Sequence, residues 1–251
     1  MASPDQGRII EWFPPDYTSY CIIIGPTQGG DGPHHVNGTG GLRNPGFMAV
    51  DLNDNLYVPE SGAGRVLKFE RASLPRGPQD CGPDGLLVPP APYQVFVTNF
   101  GIPAGIARDP TCSTETANCW AVTNIVSGAF GGNAVGWFDD AGQPSDVKGP
   151  IPMAGYSPFG IAVSPSGDVF LVDVGLHCDA NGCGSVDGGG GIFKVSFSDG
   201  YPSATEKIIG GLNFPLGVTL CDASKRVCPR PASQATPVTQ PTPTTQPTPG
   251  G

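Results

Sequence analysis

The sequence repeats one short element four times, as Pro45-Gly46, Pro103-Ala104-Gly105, Pro158-Phe159-Gly160 and Pro215-Leu216-Gly217. Successive prolines stand 58, 55 and 57 residues apart. So even a period marks a chain assembled from copies of one supersecondary unit, none of which buries its apolar face alone. Each element is followed by an apolar run, a turn and a second run: 47–51 then 55–59, 105–108 then 119–124, 161–163 then 169–174, and 217–221 then 226–228. In the third copy the turn is Ser164-Pro165-Ser166-Gly167, the pattern of a tight β-hairpin. A third run follows in three copies, at 64–69, 133–138 and 191–195. The fourth copy lacks one, and Gly7-Arg8-Ile9-Ile10-Glu11-Trp12-Phe13 at the other end of the chain echoes Gly64-Arg65-Val66-Leu67-Lys68-Phe69.

The residues ahead of each element, 20–25, 93–98, 148–153 and 206–209, read as the remaining strand of each unit. Four short strands per repeat predict an all-β chain folded as a β-propeller. The expectation is four blade repeats of four antiparallel strands, with the N-terminal strand closing the last blade. The composition agrees, because 38 Gly and 29 Pro among 251 residues leave no sustained helical period. Charged residues are only 14% of the chain and the formal net charge is -9, so the clustered Lys and Arg of a nucleic-acid footprint are absent. No apolar run reaches the roughly 18 residues of a membrane-crossing helix. From 232 to 251 the chain is Thr, Pro and Gln with scarcely a large apolar side chain. Residues 1–231 are therefore expected to form the propeller domain and 232–251 a disordered linker.

The wording of the first copy is specific. Asn44-Pro45-Gly46-Phe47-Met48-Ala49-Val50-Asp51, then Asn55-Leu56-Tyr57-Val58-Pro59-Glu60-Ser61-Gly62, then Gly64 to Phe69, resembles a blade of the NHL-repeat β-propeller family. The third copy keeps the pattern well and the second loosely. NHL propellers usually have six blades, so the resemblance opens a second arrangement, an arc of a six-bladed NHL propeller. It implies a fold and a ligand-presenting surface: a binding or scaffold module for an extracellular protein, peptide or glycan. A looser resemblance to the gluconolactonase-like propellers implies the alternative, an enzyme like calcium-dependent lactonases or quinone-dependent sugar dehydrogenases. The strands expected to line the channel, 20–25, 93–98, 148–153 and 206–209, are mostly apolar and offer no general base, so recognition is the favoured class.

Eight cysteines bear on the compartment. Cys112 with Cys119, Cys178 with Cys183 and Cys221 with Cys228 each bracket a single turn, within disulfide reach, which leaves Cys21 with Cys81 as a longer-range pair. An even, locally paired set argues for secretion or the cell surface. Zinc is the competing reading for Cys178, Cys183 and His177. Met1 to Gln6 is neither basic nor apolar, so a targeting segment is expected upstream, in a longer multidomain chain carrying this domain as a monomer. Asn37-Gly38-Thr39 is an N-glycosylation triplet, and the Thr/Pro linker suits O-glycans.

Candidate site residues are few. Exposed loop aromatics Tyr17, Phe130 and Tyr156 are candidates for ligand contact, with inter-blade packing as the alternative for each. His34 and His35 lie in a Gly-rich loop. Val172 to His177 looks like a segment of the amidating lyases, but that family's other metal histidines are matched here by Phe47, Ala104, Phe159 and Leu216. Asp179, Asn181 and Asp187 alternate with small residues and form the calcium candidate, the one cofactor weighed, against a loop ordered by its disulfide alone. Glu60, Asn124 and Asp173 end what read as third strands. They form either a cation-binding ring at the channel mouth or turn-holding acceptors, and the second is expected.

Overall fold

The computed structural model describes residues 2–3, 7–25, 42–125, 133–152, 156–179 and 182–220. Short runs of β-branched and aromatic residues, punctuated by Pro, Gly and Asn, form its strands. β1 (Ala2–Ser3), β2 (Arg8–Phe13) and β3 (Ser19–Ile24) make a three-stranded sheet. A four-stranded sheet follows from β4 (Ala49–Val50), β5 (Leu56–Glu60), β6 (Arg65–Phe69) and β7 (Gln94–Thr98), and a second from β8 (Pro103–Arg108), β9 (Trp120–Asn124), β10 (Asn133–Phe138) and β11 (Ile151–Pro152). β12 (Pro158–Val163) and β13 (Val169–Asp173) begin the last. The hairpin of β14 (Leu176–Asp179) and β15 (Gly182–Ser185) is inserted before its closing strands, β16 (Gly190–Ser198) and β17 (Tyr201–Leu212). Every strand pair within these sheets is antiparallel.

Each four-stranded sheet runs outward in chain order from its Pro-Gly strand. The strand ahead of a Pro-Gly element therefore completes the preceding sheet, not its own: β7 pairs with β6, and β11 with β10. This corrects the expected grouping and places these strands at the far edge of their sheets instead of along a channel. Sequential strands joined by short connections pair with each other, and a periodic sequence is silent about which neighbour a strand chooses. For the same reason residues 20–25 do not open the first unit, because β3 pairs with β2, with Ile9 opposite Ile24. Val227, the expected sheet neighbour of Ile9, lies outside the described residues. In the fourth copy, 217–220 carry no ladder pairing where a strand was expected. β16 begins at Gly190, one residue ahead of the expected run 191–195.

The Pro-Gly edges of the sheets meet one another in a propeller-like arrangement. The Phe47 N–H donates to the Ala104 carbonyl at 2.8 Å, and Ile106 N–H returns a bond to the Phe47 carbonyl at 3.2 Å. Thr123 Oγ1 donates to the Phe159 carbonyl at 2.8 Å. At the contact points only glycine fits. A Cβ on Gly46 would strike the Ala104 carbonyl, one on Gly105 would lie 2.5 Å from the Phe159 carbonyl oxygen, and one on Gly160 would lie 2.6 Å from that of Leu216. A Cβ on Gly217 would meet the Phe47 ring at 2.5 Å, so the series returns to its first member. The repeated glycine is thus a close-approach residue.

Three buried clusters fill the spaces between consecutive sheets, and strand alternation feeds them. On β5, Leu56 and Val58 face the first cluster, with Ile9, Ile23 and Phe69, while Tyr57 faces the next, with Phe96 and Val122. On β9, Trp120 and Val122 share the Tyr57 cluster and Ala121 turns to the third, with Val135, Leu171 and Val195. A sheet buried on both faces explains why these strands read as continuous apolar runs. Disulfides join Cys21 to Cys81 and Cys112 to Cys119, with Cα separations of 5.8 and 5.6 Å. The first ties β3 to the segment between β6 and β7, and the second closes the β8–β9 connection.

Candidate functional site

Polar side chains at the ends of the second strands hold the Pro-Gly elements in place. Glu60, fully buried at the end of β5, accepts the Arg43 N–H at 2.9 Å and pairs with Arg65 Nε at 2.6 Å. Asn124 at the end of β9 accepts the Ile102 N–H at 3.1 Å. Asp173 at the end of β13 accepts the N–H groups of Ser157 and Gly175, both at 3.0 Å. All three thus bind backbone just ahead of a Pro-Gly element, and they sit on second strands, not on third strands as the sequence suggested. An acceptor there satisfies N–H groups that the sheet ladder leaves over.

Other acids hold turns. Asp51 accepts the N–H groups of Asn53 and Asn55 at 2.8 and 2.9 Å, and the Tyr57 hydroxyl at 3.2 Å. Burial, reinforced by Asp51, pushes the Tyr57 hydroxyl far above its ordinary pKa, so it stays a donor. Asp109 receives Lys148 Nζ at 2.6 Å, Thr111 Oγ1 at 2.7 Å and Trp137 Nε1 at 3.1 Å. Burial works to raise its pKa, but these hydrogen bonds outweigh it and hold the carboxyl below its ordinary range. A carboxylate kept ionised by such donors is a structural anchor and a poor proton acceptor.

The candidate ligand residues are scattered. Tyr17 projects from the β2–β3 turn, 60% exposed and with a left-handed backbone. Tyr156 packs edge-on against Phe193 at 4.8 Å and is bound up with sheet packing. Phe130, His34, His35, Asn37, Asn181, Cys221 and Cys228 lie outside the described residues. The insertion is the β14–β15 hairpin, with Cys178 and Cys183 opposite each other in its backbone register. The side chains of residues 177–183, which include His177 and Asp179, lie outside the described set; Asp187 follows β15 at the surface. Among the described residues no group of three or more His, Cys, Asp or Glu is placed to hold a metal. Phe47 and Phe159, from the first and third Pro-Gly elements, meet edge-on with ring centroids 5.8 Å apart.

One feature escaped the sequence reading. A cleft of about 470 Å³ opens between β2 and the β4–β5 hairpin, walled by aliphatic residues that include Met48, Leu56 and Leu74. Its polar lining is Glu11, Asp54 and Arg71, with Trp12 beside them. Burial raises the Glu11 pKa, opposed by the Arg71 charge. Trp12 lies opposite Tyr20 across the hairpin, ring centroids 4.9 Å apart, and both rings are partly exposed. The available signal was an acid and an exposed-face Trp within an otherwise apolar strand. Comparison of the chain with protein-family models and with curated proteins returned no match.

Proposed function

We propose that this chain is a secreted recognition module, an NHL-like propeller of four sheet units that presents loops and inter-sheet clefts to an extracellular protein, peptide or glycan. The contact of Gly217 with the Phe47 ring carries the four-unit reading, since it joins the last Pro-Gly element to the first. In this reading β2 and β3 serve as the third and fourth strands of the last unit. β2 echoes β6 in sequence, and β3 precedes Pro45 as β7 precedes Pro103. The two disulfides suit an oxidising compartment. The use of buried acids as backbone anchors favours binding over turnover, because Glu60, Asp109 and Asp173 already have partners that hold them in place.

The test is to immobilise the full chain, screen it against glycan and peptide arrays, and assay lactone hydrolysis with calcium and quinone-dependent sugar oxidation in parallel. Saturable binding without turnover is expected. Turnover of either substrate class would replace this reading with the enzymatic one.

A further inference from the structure

Two carboxylates, Glu11 and Asp54, line the cleft between β2 and the β4–β5 hairpin. Among the described residues neither has a hydrogen-bond or ion-pair partner. Arg71, the one cation among the described lining residues, donates through Nη1 to the Pro75 carbonyl at 2.9 Å, and its charge offsets one of the two carboxylates. The cleft thus carries more negative than positive charge. Glu11 is half-buried, so its charge is poorly solvated and gains from a counter-ion. The remaining wall is aliphatic.

We propose that this cleft receives a lysine side chain of an extended peptide. Its stem would lie along Met48, Leu56 and Leu74, and its ammonium would pair with Glu11 and Asp54. The proposal rests on the recognition-module reading and names the partner's chemistry. An ammonium on an aliphatic stem satisfies both halves of the lining, since the stem needs apolar surface and the head a carboxylate or an aromatic face. A sugar would leave most of its hydroxyls against a wall with nothing to bond them. A carboxylate or phosphate group would meet two like charges. Arginine fits less well, because its flat fork favours one bidentate carboxylate over two carried on separate elements. The chain's net charge of -9 steers basic peptides towards it.

The experiment titrates the full chain with three acetylated, amidated pentapeptides, identical except for lysine, norleucine or glutamate at the centre. It reads the backbone amide resonances of Glu11 and Trp12. The lysine peptide is expected to shift both and to bind at least about fivefold more tightly than the norleucine peptide. Glu11→Gln is expected to erase that preference, and Asp54→Asn, at an exposed turn, to reduce it; added salt weakens lysine binding in the parent. Equal affinity for lysine and norleucine peptides would mean an apolar groove only and would overturn the proposal. So would tighter binding of the glutamate peptide, or no shift at Glu11 and Trp12 at millimolar lysine peptide. Array ligands that bind while these resonances stay still would remove this inference and leave the module reading standing.

Discussion

Lys148 Nζ lies 2.6 Å from the Asp109 carboxylate and 4.9 Å from the centre of the Phe197 ring, so one cation joins the β8–β11 sheet to the β12–β17 sheet. The Asp109 side chain is fully buried and that of Lys148 is 10% exposed. A third bond, to the Gly167 carbonyl at 3.3 Å, fixes the ammonium against the turn of the neighbouring sheet. Lys148→Met removes the cation and strands the carboxylate, a change that costs about 3–5 kcal/mol. Chemical denaturation at neutral pH checks it.

The same pair sets an acid limit. Asp109 titrates lower in the folded chain than its unfolded value of about 3.9. Its contribution is therefore complete above that value and is lost as pH falls through the lower, folded one. Melting temperatures measured from neutral pH downward should drop on this limb. In Lys148→Met the buried carboxylate has lost its main ionising partner, so the fall attributable to Asp109 should shrink or reverse. An unchanged acid limb in the variant would contradict the assignment.

Glycines at the sheet junctions should be intolerant, and a glycine that faces open space should not. Gly105→Ala brings a methyl within 2.5 Å of the Phe159 carbonyl oxygen and should cost about 1–3 kcal/mol, as overpacking does. Gly184→Ala has nothing within 4 Å of the added methyl and should change stability little. The pair of melting curves provides its own control. Equal, small effects would mean that the Pro-Gly strands do not pack as described.

The two disulfides should differ in worth. Cys21–Cys81 closes a span of 60 residues and Cys112–Cys119 one of 7. Constraint of the unfolded chain grows with loop length, so loss of the first should cost more, within the usual range of about 2–4 kcal/mol. Paired Cys→Ala variants, compared by denaturant midpoint, measure the difference.

What the sequence disclosed follows from what each pattern encodes. The Pro-Gly spacing and the apolar runs expose strands such as β5, β9 and β13 because each is a local signal of turn chemistry and burial. Partner choice was not legible: whether β7 joins β6 or β8 depends on the path of the chain through space, and local periodicity is the same in both cases. The Glu60, Asn124 and Asp173 acceptors were visible as a repeated polar position, and their role followed from the turns beside them. The cleft was hidden for a different reason. Glu11 and Arg71 come from distant parts of the chain, and only the packing of β2 against the first repeat sheet brings them together.

The closed series of Pro-Gly elements is tested most directly by through-space proton contacts in the labelled full chain, recorded between the Phe47 ring and the Gly217 Cα protons. The account predicts a strong cross-peak, alongside those of Phe47 with Ala104 and of Gly105 with Phe159. A spectrum that contains the Phe47–Ala104 and Gly105–Phe159 contacts but lacks the one between Phe47 and Gly217 would contradict a four-unit ring and leave an open arc.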